Sequence, residues 1–153
     1  MSDTSPLLNL ERIERLDLLP GLYGQVLAPA AVSEELSKGS QIYEGLPWLS
    51  FVSVLDRALV DRLSADLDPG EAEAIALAIE KKADLILVDE KRGRRIATAN
   101  GLQVTGLLGV LASAKRKELI PEVKTVLDEL SEKAGFWLAP ELRSEYLQGL
   151  GEE

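Results

Sequence analysis

The sequence predicts an α/β fold, a three-layer α/β/α sandwich built on a central parallel sheet. Three observations carry this expectation. Helical segments alternate with short β-type runs along the chain, the pattern of parallel strands joined by helical crossovers. The clearest helix start, Asp68-Pro69-Gly70-Glu71, leads through an Ala-rich stretch into the apolar run Leu85-Ile86-Leu87-Val88. Finally, 153 residues suffice for one buried core. No repeat, low-complexity tract or linker divides them, so residues 1–153 read as a single domain.

Taken in order, Ser5-Pro6 opens the first helix, since Ser caps well and Pro suits the first helical position. Leu7, Leu8, Leu10 and Ile13 follow at near-helical spacing. A second short helical piece carries Leu16, Leu18 and Leu19 and is expected to break at Pro20-Gly21. Gln25 to Ala28 reads as a buried strand, and Pro29 begins a helix through about Leu36. Gly39 to Pro47 reads as loop and Leu49 to Val54 as the next strand. After a helical stretch from Asp56 to Leu63, Asp68 fits an N-cap, Pro69 the first helical position and Glu71 the capping-box position. The run Ala72 to Lys82 favours helix by propensity. Asp84 to Asp89 reads as a strand ending in an acid, Lys91 to Ala99 as a helix stopped by Asn100-Gly101, and Leu102 to Thr105 as the last strand. The remainder is helical: Leu107 to Lys117, Pro121 to Lys133 and Pro140 to Leu150.

Two absences restrict the chemistry. The chain has no Cys and no His. That excludes disulfides, thiolate nucleophiles, Ser-His-Asp triads and imidazole or thiolate metal sites. What remains is carboxylates, hydroxyls, Lys, Arg, Tyr or a bound ion, and carboxylate oxygens favour hard ions such as Mg²⁺ or Mn²⁺. The net charge of −9 argues against a nucleic-acid coat held by bulk electrostatics. Positive charge is nevertheless concentrated at Lys91, Arg92, Arg94 and Arg95, and again at Lys115-Arg116-Lys117. No run approaches the roughly 18 apolar residues of a membrane span. The start, Met1-Ser2-Asp3-Thr4, lacks a basic region followed by an apolar stretch. The expectation is a cytoplasmic protein without a membrane partner.

In open parallel sheets the working crevice lies at the carboxyl ends of the strands. Asp89 sits at such an end, Glu71 starts the helix that feeds that strand, Asp3 precedes the first helix, and Glu35 lies on the helix after the second strand. Phosphodiester hydrolysis needs an activated water, a neutralised phosphate and a stabilised leaving oxygen, and carboxylate-held divalent ions supply all three. Each acid also has a plainer reading. Glu71 fits a capping-box residue, Asp89 a strand-end turn or helix cap, Glu35 a solvated helix face, and Asp3 a frayed cap. The run Lys91 to Arg95 fits exposed helix surface.

Several segments together resemble the PIN-domain family. They are Ser2-Asp3-Thr4-Ser5-Pro6-Leu7, Pro29-Ala30-Ala31-Val32-Ser33-Glu34-Glu35-Leu36, Gly70-Glu71-Ala72-Glu73-Ala74-Ile75 and Leu87-Val88-Asp89-Glu90. Arg94-Arg95-Ile96-Ala97, Thr105-Gly106-Leu107-Leu108-Gly109 and Ala134-Gly135-Phe136-Trp137-Leu138 extend the likeness to a prokaryotic, VapC-like branch over nearly the whole chain. The resemblance implies strand order 3-2-1-4-5 and an acidic pocket binding Mg²⁺ or Mn²⁺. It also implies ribonuclease activity through metal-activated water. By position it assigns the catalytic and metal-ligand roles to Asp3, Glu35, Glu71 and Asp89, with Glu73 and Glu90 as second choices. Ser5 matches a hydroxyl supporting the first Asp, and Lys91, Arg92 and Arg95 are placed to contact phosphates. It further implies the toxin role of a toxin–antitoxin pair, a small antitoxin partner and a homodimer. One departure stands out: the family carries three or four apolar residues before the first Asp, whereas here Met1 and Ser2 alone precede Asp3. A shortened first strand, or a start lying upstream of Met1, is therefore expected.

The competing reading is a PIN scaffold that binds RNA or a protein partner without turnover. A phosphotransfer receiver domain shares the doubly wound sheet. It requires an acidic pair after the first strand and a Lys after the fifth; here Asp3 is followed by Thr4 and the last strand by Gly106. Trp48, Phe136, Trp137 and Tyr146 read as buried core, with an oligomer surface as the alternative.

Overall fold

The computed structural model describes residues 1–39 and 41–152. Ser40, inside the predicted loop from Gly39 to Pro47, and Glu153, at the end of the predicted domain, lie outside the described residues. The chain is a mixed α/β protein whose helices enclose short parallel strands. Its first half runs α1 (Thr4–Arg12), α2 (Leu18–Tyr23), β1 (Val26–Pro29), α3 (Ala30–Ser37), β2 (Leu49–Val52) and α4 (Arg57–Leu63). There follow α5 (Pro69–Lys81), β3 (Ile86–Leu87), α6 (Lys91–Ala99), β4 (Val104–Thr105), α7 (Leu107–Arg116), α8 (Val123–Ala134) and α9 (Pro140–Gly149).

Local chemistry explains most boundaries. Asp68 caps α5 by accepting from the Glu71 amide at 2.8 Å, and α5 ends where Lys82 turns left-handed at φ 52°. Contrary to expectation, α2 runs through Pro20 and Gly21 and stops at Gly24, φ 73°. Pro20 falls in the first turn, where backbone amides have no intrahelical partner, so its missing N–H costs nothing. The predicted loop after α3 contains a 3₁₀ turn, Ile42–Gly45. Strands are shorter than the apolar runs that announce them. β2 stops at Val52, opposite Pro29, where β1 gives way to α3, and further on the amides of Leu55 and Asp56 go to the Glu80 carboxylate.

β1 pairs in parallel with β2, from Val26↔Leu49 to Pro29↔Val52, and β3 with β4 at Ile86↔Val104 and Leu87↔Thr105. The first residues lie between the two pairs. Ser2 N–H donates to the Leu27 carbonyl at 2.9 Å, Asp3 N–H to that of Leu87 at 3.1 Å, and Leu87 N–H to that of Met1 at 2.8 Å. Asp3 is thus not a frayed cap; it is 5% exposed and held by backbone bonding.

Side chains on β3 alternate between two apolar clusters, as the period of a strand requires. Ile86 and Val88 join Ala72, Ile75, Leu77 and Ala97, while Leu87 joins Leu7, Leu10, Leu111 and Leu127. The aromatic residues do not follow the expectation of simple burial. Trp137 is 72% exposed, and Trp48, Phe136 and Tyr146 are half-buried, packed against the core. Among the described residues no helix is long and apolar enough to cross a membrane.

Candidate metal centre

Because Asp3 N–H bonds the Leu87 carbonyl, the chain after Ser2 and the chain after Leu87 emerge side by side. That register brings Asp3 beside the segment Val88 to Glu90. Asp3 begins α1 as its N-cap, Glu90 begins α6 as its N-cap, and Asp68 with Glu71 occupies the first turn of α5. The positive ends of these helices offset part of the repulsion among the acids.

The tightest group is Asp68, Glu71 and Glu90, each offering one carboxylate oxygen, all within 4.8 Å of one another. Glu71 is 4% exposed, and its Oε2 is buried without a hydrogen-bond partner. Its remaining interaction is with the Asp68 carboxyl rather than with the cap amide, so no reciprocal capping box forms. Burial chiefly, then Asp68, Glu90 and Asp3, push the Glu71 carboxyl up to about 8. Asp3 is pushed to about 7, first by burial, then by Asp68, Glu35 and Glu90, against the opposing pull of the Thr4 amide.

Glu35 reaches the same place from α3. Its Oε2 accepts from the Thr4 hydroxyl at 2.5 Å. The hydroxyl tied to a clustered acid is therefore Thr4's and not that of Ser5, which lies half-buried on α1. Asp89 stands apart from the tight group. Its Oδ1 accepts from the Leu107 amide at 2.6 Å, tying β3 to the start of α7, while Oδ2 is buried without a partner. Burial raises its pKa, opposed by the Leu107 amide and the Arg94 guanidinium. Glu73 faces elsewhere: it accepts from the Ala31 amide at 3.0 Å and from Arg57 at 2.9 Å, bracing α3 and α4 against α5.

Lys91, Arg92 and Arg95 are exposed on α6 beside Glu90. Arg92 donates to the Asp66 carbonyl at 3.2 Å, so it is positioned near the start of α5. The second basic run is engaged internally, with Lys115 on Glu152 and Lys117 on the Leu22 carbonyl. A cleft of about 590 Å³ is lined by Met1, Leu22, Leu27 and Leu85 and by none of the clustered carboxylates.

The donor set suits a hard divalent cation: all oxygen, crowded, and short of hydrogen bonds at the Oε2 of Glu71. A buried carboxylate lacking a partner is costly, and a cation removes both that cost and the repulsion. Sequence reasoning named Asp3, Glu35, Glu71 and Asp89. It missed Asp68 and Thr4 and ranked Glu90 second. The i, i+3 spacing of Asp68 and Glu71, which puts both in one helical turn, was a usable signal for Asp68.

A protein-family model described as a PIN domain matches residues 1–152. No curated protein and no solved structure gives a significant match.

Proposed function

Since the chain belongs to the PIN-domain family, a fold of nuclease type, we propose that it is a divalent-metal-dependent ribonuclease hydrolysing phosphodiester bonds. The observation that carries this is the convergence of carboxylate oxygens from Asp68, Glu71 and Glu90 within 4.8 Å, at a Glu71 whose Oε2 is buried without a partner. Asp68, Glu71 and Glu90 would hold Mg²⁺ or Mn²⁺, with Asp3 and Glu35 at their side. When bound, the ion supplies charge neutralisation and a lowered pKa for water. Thr4 fixes the Glu35 carboxylate, Asp89 fixes the start of α7, and Lys91, Arg92 and Arg95 offer the RNA backbone positive charge beside the acids. We also read Met1 to Asp3 as the central position of a three-layer sandwich with strand order 3-2-1-4-5, supported by their bonds to Leu27 and Leu87. The biological setting suggested by the resemblance is a homodimeric toxin neutralised by a small antitoxin.

The test is cleavage of structured and unstructured RNAs with Mn²⁺, Mg²⁺ or EDTA, beside Glu71→Gln. Metal-dependent cleavage lost in the variant supports the reading; absence of cleavage by the folded wild type refutes it. The engagement of Asp89 by Leu107 favours a second reading, a PIN scaffold that binds RNA without turnover. Metal and RNA binding without product would identify it.

A further inference from the structure

Two of the glycines nearest the acids are not there for backbone freedom. The described glycines with positive φ are Gly24, Gly101, Gly135 and Gly151. Gly70 lies in the first turn of α5 and Gly93 within α6, where alanine would be the better helix former. What an alanine would meet explains the choice. A Cβ at Gly70 would lie 2.7 and 3.1 Å from the two Glu35 carboxylate oxygens and 3.2 Å from Asp3 Oδ1. A Cβ at Gly93 would lie 2.6 Å from Glu71 Oε2 and 2.8 Å from a Val88 methyl. That Glu71 oxygen is the one without a hydrogen-bond partner.

We propose that Gly70 and Gly93 are positioning residues of the acidic centre, their bare Cα atoms letting the carboxylates of Glu35, Asp3 and Glu71 close directly onto the walls of α5 and α6. The inference rests on the metal-binding reading of those acids. Gly70 carries it most cleanly, because the three nearest atoms a methyl would meet across from α5 are all carboxylate oxygens. The Glu35 side chain is long enough to swing aside, so an added methyl displaces the ligand group rather than the backbone. Displacement also pulls Glu35 away from the Thr4 hydroxyl. At Gly93 the methyl presses on Val88 as well, and a loss there mixes packing with ligand placement.

The experiment compares Mn²⁺ affinity, read by the electron paramagnetic resonance of free Mn²⁺, with the thermal midpoint in EDTA. The proteins are wild type, Gly70→Ala, Gly70→Ala with Glu35→Asp, and Gly149→Ala. Gly149 faces open space and serves as the control. The expected result is about a tenfold loss of Mn²⁺ affinity for Gly70→Ala, the scale seen for residues that orient metal ligands. The EDTA midpoint should not fall. Shortening Glu35 to Asp in the same chain should restore part of the affinity by making room for the methyl. Folded Gly70→Ala with wild-type affinity would overturn the proposal. Should Gly70→Ala fail to fold, rescue of folding by Glu35→Asp supports it, and no rescue overturns it. A wild type that binds no Mn²⁺ removes the metal reading itself, and this inference with it.

Discussion

The hydroxyl of Thr4 and the carboxylate of Glu35, thirty-one positions apart, meet at 2.5 Å. The bond joins the first residue of α1 to the middle of α3 and fixes a carboxylate at the edge of the acidic cluster. Hydrogen bonds to a charged group are among the stronger ones in a protein. Thr4→Val should therefore cost about 1–2 kcal/mol of stability in denaturant titration and weaken Mn²⁺ binding as Glu35 swings free. Thr4→Ser, which keeps the hydroxyl, should retain most of both. Equal behaviour of the two variants would assign Thr4 to packing alone.

The metal-free protein should lose stability as pH rises. Asp3 at about 7 and Glu71 at about 8 lie above their ordinary values of 3.8 and 4.5. The folded state keeps these protons where the unfolded chain has already lost them, so their contribution is full below about pH 4. It declines as pH rises above that and is lost once pH has passed through 7 and 8. Thermal midpoints in EDTA should be lower at pH 8.5 than at pH 5.5. Added Mn²⁺ should stabilise more at the higher pH, because ligands must be deprotonated. A metal effect independent of pH would contradict the role given to these two acids.

Glu71→Gln separates ligand from scaffold. The amide cannot ionise, so burying it spares the folded state a charge, and the EDTA midpoint at pH 8 should rise. Metal-dependent cleavage should drop by about 100-fold or more. Cleavage kept by the variant would move the centre elsewhere.

Adjacent acids should respond in opposite ways. Asp89 accepts from the Leu107 amide, so Asp89→Ala should cost about 0.5–2 kcal/mol, the range for losing a helix cap. Glu90 is exposed and, although at the N-cap position of α6, makes no capping hydrogen bond with its side chain, so Glu90→Gln should leave stability alone and weaken metal binding. Unfolding curves and Mn²⁺ titration of the two proteins decide the point.

Glu73, although buried, should behave as a brace. Glu73→Ala removes the partner of Ala31 and Arg57 and should destabilise by about 1–3 kcal/mol. Mn²⁺ affinity measured well below the new midpoint should be unchanged.

Much of the fold was legible because local signals coincided with it. Asp68 and Pro69 announced α5 through capping chemistry that operates within one turn, and the unbroken apolar run Leu85 to Val88 announced a strand buried on both faces. Strand ends were less legible, since β2 stops where its partner β1, more than twenty positions earlier, turns into α3 at Pro29. The same limit governs the site. Glu71 and Asp3 stand next to cap signals that a sequence displays. That Thr4 rather than Ser5 meets Glu35 depends on the rotational phase of α1 against α3, which only packing decides. Gly70 and Gly93 stand in the sequence for anyone to read, but which side chains use the room they leave depends on packing between distant segments.

The three residues that open the chain bond to β1 on one side and β3 on the other, and the third of them is Asp3. The seam between the two strand pairs and a wall of the acidic cluster are thus one piece of backbone. Amide exchange at Ser2, Asp3 and Leu87 then reports on the cluster itself: whatever clamps the carboxylates should slow proton exchange along the seam. Warming that opens the seam should extinguish activity before the helices melt.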